Sequence, residues 1–412
     1  MTTTSKQQQK FSFIDVFSGA GGLSIGFKIS GFFEPITAIE MSSIACKTYA
    51  QNLGVPVLNE NLANTKPLDL LERAHSVGFK QIDLIIGGPP CKAFTTANRG
   101  NTKWEKVKER MLKEERVVEN IEWFSYWKMI EGIKPQAFVA ENVMGLRTRR
   151  DVLESFLDRV ASIKYTTKIC ELDAQYFGVP QRRKRIFIIG IRESKLDSTD
   201  LVLKNPKRSS EELVTVEKAI SDLPQLSNEN SGTQSSHYLP KKPTAYQALM
   251  RCNEKLLFEH LTHSVHPVVA SRFKYIPQGY NLRKAWITGK IPDEIMRSEY
   301  NLGKAVRKFS EKTLENMHSN IYRRLLWDNV SCTVTNARKT VLIHPLQDRL
   351  ISVREAARLQ SFPDWTHFYG GLDQQYQQIA DAVPPLLAKG IANHVAGILL
   401  NKEVFPNLSC IA

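Results

Sequence analysis

Short apolar runs separated by amphipathic stretches fill the first 190 residues. Phe11–Phe17 is a β-rich run that ends in glycines, and helical spacing follows from about Gly22. Ile36–Glu40 reads as a second strand and Ser43–Asn52 as a helix. Ile82–Ile86 is an apolar strand closed by Gly87-Gly88-Pro89-Pro90. Val117–Gly132 has helical spacing and many aromatics, and Ala137–Ala140 and Ile186–Gly190 are further short strands. Short apolar strands alternating with helices predict an α/β fold with a parallel sheet covered on both faces. After about residue 192 the alternation fades. Ser, Asn, Lys and Pro become frequent between Ser194 and Pro243, which predicts a boundary into a second, more irregular domain. Tyr376–Leu400 returns to helical spacing.

The chain's 412 residues could form two or three domains. Its 42% hydrophobic and 24% charged content is ordinary for a soluble globular protein. No apolar run approaches the roughly 18 residues of a membrane span. The polar N-terminus lacks the apolar core of a secretory signal, so residues 1–10 read as a disordered lead. Six cysteines show neither CxxC nor Cys/His pairing at metal-ligand spacing, so no metal site and no disulfide scaffold is expected. Five of them read as buried apolar residues in a reducing, intracellular setting. The net charge of +14 favours a polyanionic partner, with nucleic acid ahead of a membrane surface.

Three places carry candidate chemistry. The first strand leads into Ser18-Gly19-Ala20-Gly21-Gly22-Leu23, where glycines allow tight turning and the next helix offers unpaired N–H groups. Glu40, about 20 positions on, could hold a ribose hydroxyl pair. The pattern is not GxGxxG, which disfavours a dinucleotide. Second, Cys91 follows a central strand on a Gly/Pro loop, where a thiolate can serve as nucleophile. Beyond it, Lys103–Arg116 reads either as a solvated helix face or as a loop closing on a phosphate backbone, with Arg99 nearest the nucleophile. Third, Glu141 ends an apolar strand, where a carboxyl that keeps or shares its proton could engage a ring nitrogen. If Arg183 and Arg185 stand on a strand, they share one face, opposite Lys184.

Six segments in this order resemble the DNA (cytosine-5) methyltransferase family of the bacterial restriction–modification type. They are FIDVFSGAGGLSIGF (13–27), GGPPCKAFT (87–95), AENV (140–143), FGVPQRRKRIFIIG (177–190), SVREAARLQSFPD (352–364) and QIADAVPP (378–385). The resemblance implies a Rossmann-like S-adenosylmethionine-dependent catalytic domain over 11–192 plus 374–412, with the terminal helix near 386–400 returning to it. It also implies a smaller, mostly β or irregular target-recognition domain over 193–373, within which Ser331–Thr335 resembles a bracing segment.

By the same resemblance, Cys91 attacks C6 of a flipped-out cytosine and Glu141 engages N3. Arg185 contacts the base and Arg183 supports the loop. Phe17, Gly19, Gly21, Gly22, Leu23, Glu40, Met41, Asn61, Pro90 and Asp381 line the cofactor site. The family pattern is broken at Lys92 (usually Gln), at Asn61-Leu62 (usually Asp-Ile) and at Ala380-Asp381 (usually Gly-Asn). Duplex DNA is the expected partner of a monomeric, cytoplasmic, nucleoid-associated enzyme, alongside a restriction endonuclease acting on the same site. Candidate sequence readers include Arg272, Lys274, Gln278 and Arg283. The rivals are the same chemistry on tRNA, a non-catalytic DNA-binding relative, and a nicotinamide-dependent oxidoreductase.

Overall fold

A computed structural model describes residues 10–90, 121–193, 198–227, 232–233, 235–298, 300–302, 305–307, 321–335 and 342–401. The chain divides into two compact units. The first comprises 1–173, 184–206 and 387–407; the second comprises 174–183, 207–386 and 408–412.

The first unit is built on a seven-stranded sheet of order β3-β2-β1-β4-β5-β7-β6. Its strands are β1 (Phe11–Val16), β2 (Phe33–Ile39), β3 (Val57–Leu58), β4 (Leu84–Gly87), β5 (Ala137–Val143), β6 (Tyr165–Asp173) and β7 (Lys184–Arg192). The intervening helices are α1 (Gly22–Ile29), α2 (Ser43–Leu53), α3 (Pro67–Ser76), α4 (Ile121–Ile133) and α5 (Arg150–Ser162). Successive residues of a strand point to opposite faces, and the packing follows that alternation. Ile14 and Val16 join the cluster formed with Leu70 and Ala74 of α3, Tyr126 and Ile130 of α4, and Phe156 of α5. Phe13, between them, meets Phe27 of α1, and Phe27 meets Phe33 of β2 edge-on. Both faces of β1 are therefore covered, which explains why its sequence does not alternate and why even its polar residues, Ser12 and Asp15, are buried.

The sheet is not wholly parallel as expected. Strands β3, β2, β1, β4 and β5 pair in parallel, but β7 runs antiparallel to both β5 and β6. An apolar strand buried on both faces looks the same in either direction, so periodicity could not report this. The chain enters β7 after only a short connection from β6, and a parallel return requires a longer crossover.

The second unit is irregular, with short helices and two-stranded sheets. Its interior is unusually polar. The helix Val353–Leu359 carries two fully buried arginines, Arg354 and Arg358, and a third, Arg349, lies just before it. Arg349 makes a bidentate pair with Glu355 at 2.8 and 2.7 Å. Arg354 meets Glu259 at 3.0 Å, and Arg358 pairs with Asp364 at 2.5 Å and Asp222 at 3.3 Å. Arg354 and Arg358 lie in the family-like segment 352–364, and burial commits all three arginines to holding the unit together.

The stretch Leu372–Leu400 is long and apolar enough to suggest a membrane span, but 67% of its most apolar window is buried inside the protein. It is also broken into Leu372–Asp381 and Pro385–Leu400, the pattern of core helices.

Gly190 tests the packing of β5 against β7. It lies opposite Phe138, and a Cβ placed on it would sit 2.1 Å from the Phe138 ring. Gly190→Ala should lower stability by about 1–3 kcal/mol through overpacking. Adding Phe138→Leu should recover part of that loss. Urea melts of the four proteins of this cycle give the coupling, and additive losses would rule the contact out as the cause.

Candidate functional site

One line across the sheet organises the site. Val16 is in register with Ile39 and with Gly87, Ile39 with Leu58, and Gly87 with Ala140. The residues one step beyond that line are Phe17, Glu40, Asn59, Gly88 and Glu141. The strand order reverses between β1 and β4, since β1 is followed outward by β2 and β4 by β5. Loops leaving the two strands diverge there, and such crevices are where open α/β sheets bind ligands.

The β1 exit turns sharply. Phe17, Gly19 and Gly21 all have positive φ, at 59°, 53° and 83°. A side chain at Gly21 would also come within 2.9 Å of the Tyr49 ring, so glycine is required there on two counts. Gly21 is the N-cap of α1 and supplies no side chain to cap it, while Gly22 and Leu23 form the helix's first turn. The Glu40 carboxylate reaches this turn, accepting from the Gly19 N–H at 3.0 Å and from the Ser42 N–H at 2.7 Å. Asn59, which sequence reasoning missed, donates to the carbonyls of Glu40 and Met41 at 3.0 and 2.8 Å. Met41 is exposed. Ser18 Oγ is buried without a hydrogen-bond partner among the described residues. A glycine turn, a helix N-terminus, an orphaned hydroxyl and a carboxylate at the end of β2 fit a ribose-bearing ligand. Asn61 instead caps the short turn Leu62–Asn64, and Asp381, in the second unit, accepts from Gln377 at 2.6 Å.

Beneath the turn lies a buried polar chain. Asp15 accepts from the Ser24 hydroxyl at 2.5 Å, and Ser24 Oγ lies 2.7 Å from the Tyr49 hydroxyl. Burial drives the Asp15 carboxyl up to about 8; the Ser24 hydrogen bond opposes the rise and the Glu40 charge adds to it.

On the other side of the crevice, Glu141 Oε1 lies 3.1 Å from Arg185 Nε, and both side chains are largely buried. Register explains the meeting. Antiparallel pairing sets Arg185 opposite Val143 and Phe187 opposite Glu141, so the Arg185 side chain reaches one pleat along to the acid. Arg183 does not lie on a strand with it: β7 begins at Lys184. Arg183 is buried within the second unit, donating to the carbonyls of Val334 at 3.3 Å and Ala380 at 2.8 Å. The neighbouring Ser331–Thr335 stretch is knitted to Pro180, Gln181 and Arg182 by backbone and side-chain bonds.

Cys91, Lys92, Arg99 and the 103–116 charge run lie outside the described residues, as does Cys410. Pro89 and Pro90, which lead to Cys91, are described; Pro89 is buried. Cys46, Cys170 and Cys252 are buried as expected, and Cys332 is half-buried. Burial pushes the Cys46 thiol up to about 11, the opposite of what a nucleophile needs. Among the expected sequence readers, Arg272 is excluded. It is buried, and its guanidinium donates to the carbonyls of Ile295, Met296 and Ser298. Lys274, Gln278 and Arg283 are exposed.

A family model described as C-5 cytosine-specific DNA methylase matches residues 11–396. The chain belongs to that family. Like its relatives it is an enzyme, a DNA (cytosine-5) methyltransferase. It is 31% identical to the Type II methyltransferase M.AgeI of Thalassovita gelatinovora, over 93% of this chain and 98% of that one. It is 29% identical to M.DdeI of Desulfomicrobium norvegicum, over 93% and 88%. Its fold matches that of a protein described as a DNA modification methyltransferase from an E. coli prophage, with TM-score 0.70 and 22% identity, covering 95% of this chain and all of the other. In this C-5 cytosine-specific DNA methylase, the blocks at 13–27, 87–90 and 140–143 all meet the same edge of the sheet.

Asp15 gives the methylase a pH signature. The unfolded carboxyl titrates near 3.8 and the folded one near 8. Between those values the folded chain holds a proton that the unfolded chain has lost, so this group makes stability fall as pH rises from about 4 to 8. Asp15→Asn removes that dependence. Its stability relative to the parent should increase across the interval and level off above pH 8, where the gain should be about 1 kcal/mol or more. Urea melts at pH 5, 7 and 8.5 check this; parallel curves at all three would show that Asp15 is ionised in the folded chain.

Proposed function

We propose that this enzyme transfers a methyl group from S-adenosylmethionine to C5 of a flipped-out cytosine in a specific duplex DNA sequence. The observation that carries the reading is the alignment of Glu40, the glycine turn and the Arg185-paired Glu141 along one sheet edge, flanking the loop that leads to Cys91.

In this reading the cofactor's ribose is held by Glu40, with Phe17, Gly19, Gly21, Gly22, Leu23, Met41 and Pro90 around the ligand. Asn61 and Asp381, which depart from the family pattern, are candidate contacts as well. When bound, S-adenosylmethionine supplies an electrophilic methyl group. C5 of cytosine is too weak a nucleophile to take it unaided. The Cys91 thiolate adds at C6, and Glu141 donates or shares a proton at N3, which leaves C5 enamine-like. After transfer, loss of the C5 proton expels Cys91 and restores the aromatic ring. Arg185 orients the Glu141 carboxylate and contacts the base.

The ring edge is out of reach inside a duplex, so the base is flipped at a cost of roughly a few kcal/mol. Phosphate contacts from a chain of net charge +14 offset that cost. The second unit reads the sequence, with Lys274, Gln278 and Arg283 as exposed candidates. Arg183 braces that unit. The relatives' description as Type II methyltransferases supports a restriction–modification role, acting as a monomer in the bacterial cytoplasm at the nucleoid beside a nuclease of the same specificity.

Duplex DNA carrying 5-fluorocytosine tests the chemistry, because fluorine cannot leave C5 as a proton does. A stable covalent complex should form only with S-adenosylmethionine present, and Cys91→Ala should abolish it. Absence of any adduct across a mixed-sequence library would refute the mechanism. Glu141→Gln should slow methyl transfer about 10²- to 10⁴-fold. Duplex affinity should fall steeply between 50 and 200 mM salt, and a flat response would remove the electrostatic part of the account.

A further inference from the structure

Asn142 has no part in the chemistry above, yet its side chain links the two strands that bear the nucleophile loop and the acid. It follows Glu141 on β5 and is buried. Its Nδ2 donates to the Pro89 carbonyl at 2.9 Å, and its Oδ1 accepts from the Val143 N–H at 2.9 Å. Parallel pairing of β4 with β5 ends at Gly87 and Ala140. Beyond that point Pro89 and Pro90 have no N–H to offer, so the ladder cannot continue through them. The Asn142 amide supplies the missing cross-strand bond. The amide meets both neighbours at once, with a donor toward the carbonyl and an acceptor toward the N–H. The loop also passes close to the acid. A Cβ on Gly88 would lie 3.2 Å from Glu141 Oε2, so glycine lets the loop settle against that carboxylate.

We propose that Asn142 is a positioning residue that fixes the Pro89-Pro90 exit of β4, from which the chain continues to Cys91, relative to Glu141 on β5. The inference rests on the function proposed above and adds a residue that does not touch substrate. Misplacing a reacting group by about 1 Å costs on the order of 100-fold in rate. Asn142→Ala removes the tie, and Asn142→Asp sets a carboxylate oxygen against the Pro89 carbonyl.

Both variants should melt cooperatively and bind S-adenosylmethionine and duplex DNA within about threefold of the parent. Their kcat and their rate of 5-fluorocytosine trapping should fall together by about 100-fold. Gly88→Ala, which crowds the Glu141 carboxylate from the loop side, should show the same split between kcat and KM. Hydrogen exchange provides a readout independent of the chemistry: amides between 88 and 95 should exchange faster in Asn142→Ala while the rest of the sheet is unchanged. Parent-like trapping in folded variants would overturn the proposal. So would loss of cooperative melting, or a matching loss of cofactor and DNA binding, because either makes the residue merely structural. Should the parent itself fail to trap, the proposed function falls, and unchanged exchange at 88–95 would independently dismiss the tie.

Discussion

The antiparallel register of β7 beside β5 is the constraint on which the site depends. Every strand from β3 to β5 in the sheet's row presents its carboxyl end to the crevice. A further parallel strand would bring its own exit there and carry Arg185, near its start, to the opposite edge of the sheet. Reversal brings the entry of β7 to the exit of β5, and a guanidinium arrives next to a carboxylate. The pair is largely enclosed, and a carboxylate in that setting needs a partner. The ion pair and the strand direction therefore imply each other.

Much of this architecture was legible in the sequence. The β1 glycine turn, the second strand ending at Glu40, the strand leading to Gly87 and the strand bearing Glu141 all fell within a few residues of their observed positions. Those elements announce themselves by apolar runs bounded by Gly, Pro or an acid. The direction of β7 was hidden, because a fully buried strand has no polar face to reveal its orientation. Charge misled in a second way. Arg272, a candidate reader of DNA, is buried against carbonyls, and Arg183, Arg349, Arg354 and Arg358 are likewise buried against carbonyls or carboxylates. Their tertiary partners lie scattered along the chain, so no local pattern could have shown them. Asn142 stood inside a recognised block, but its bond to Pro89 spans 53 positions.

Those buried arginines also qualify what a net charge of +14 means. A guanidinium enclosed by Glu355, Glu259 or Asp364 contributes little to the field felt by a polyanion, because its partner cancels it at close range. Under the proposed function, the charge available to DNA comes from exposed residues such as Lys274 and Arg283. In the second unit the enclosed pairs do a different task. Short helices and two-stranded sheets bury little apolar surface each, and bidentate pairs on one central helix tie distant loops to fixed positions. A buried pair adds little net stability compared with apolar packing. It does penalise every arrangement that separates the partners, which suits a unit with few regular elements to define it.

The same logic separates the two sides of the crevice in the first unit. On the β1 side, shape is set by backbone conformation: three positive φ angles and a glycine pressed against Tyr49 leave the turn almost no alternative path. On the β4 side the backbone has lost its means of self-attachment, since two successive prolines offer no donors. Rigidity there has to be imported from β5. Under the proposed function, a ligand held on one wall and chemistry at the other require both walls to be fixed relative to one sheet. The sheet's register supplies that reference, and the side chains one step beyond it, Glu40 on one wall and Glu141 with Asn142 on the other, carry the reference into the loops.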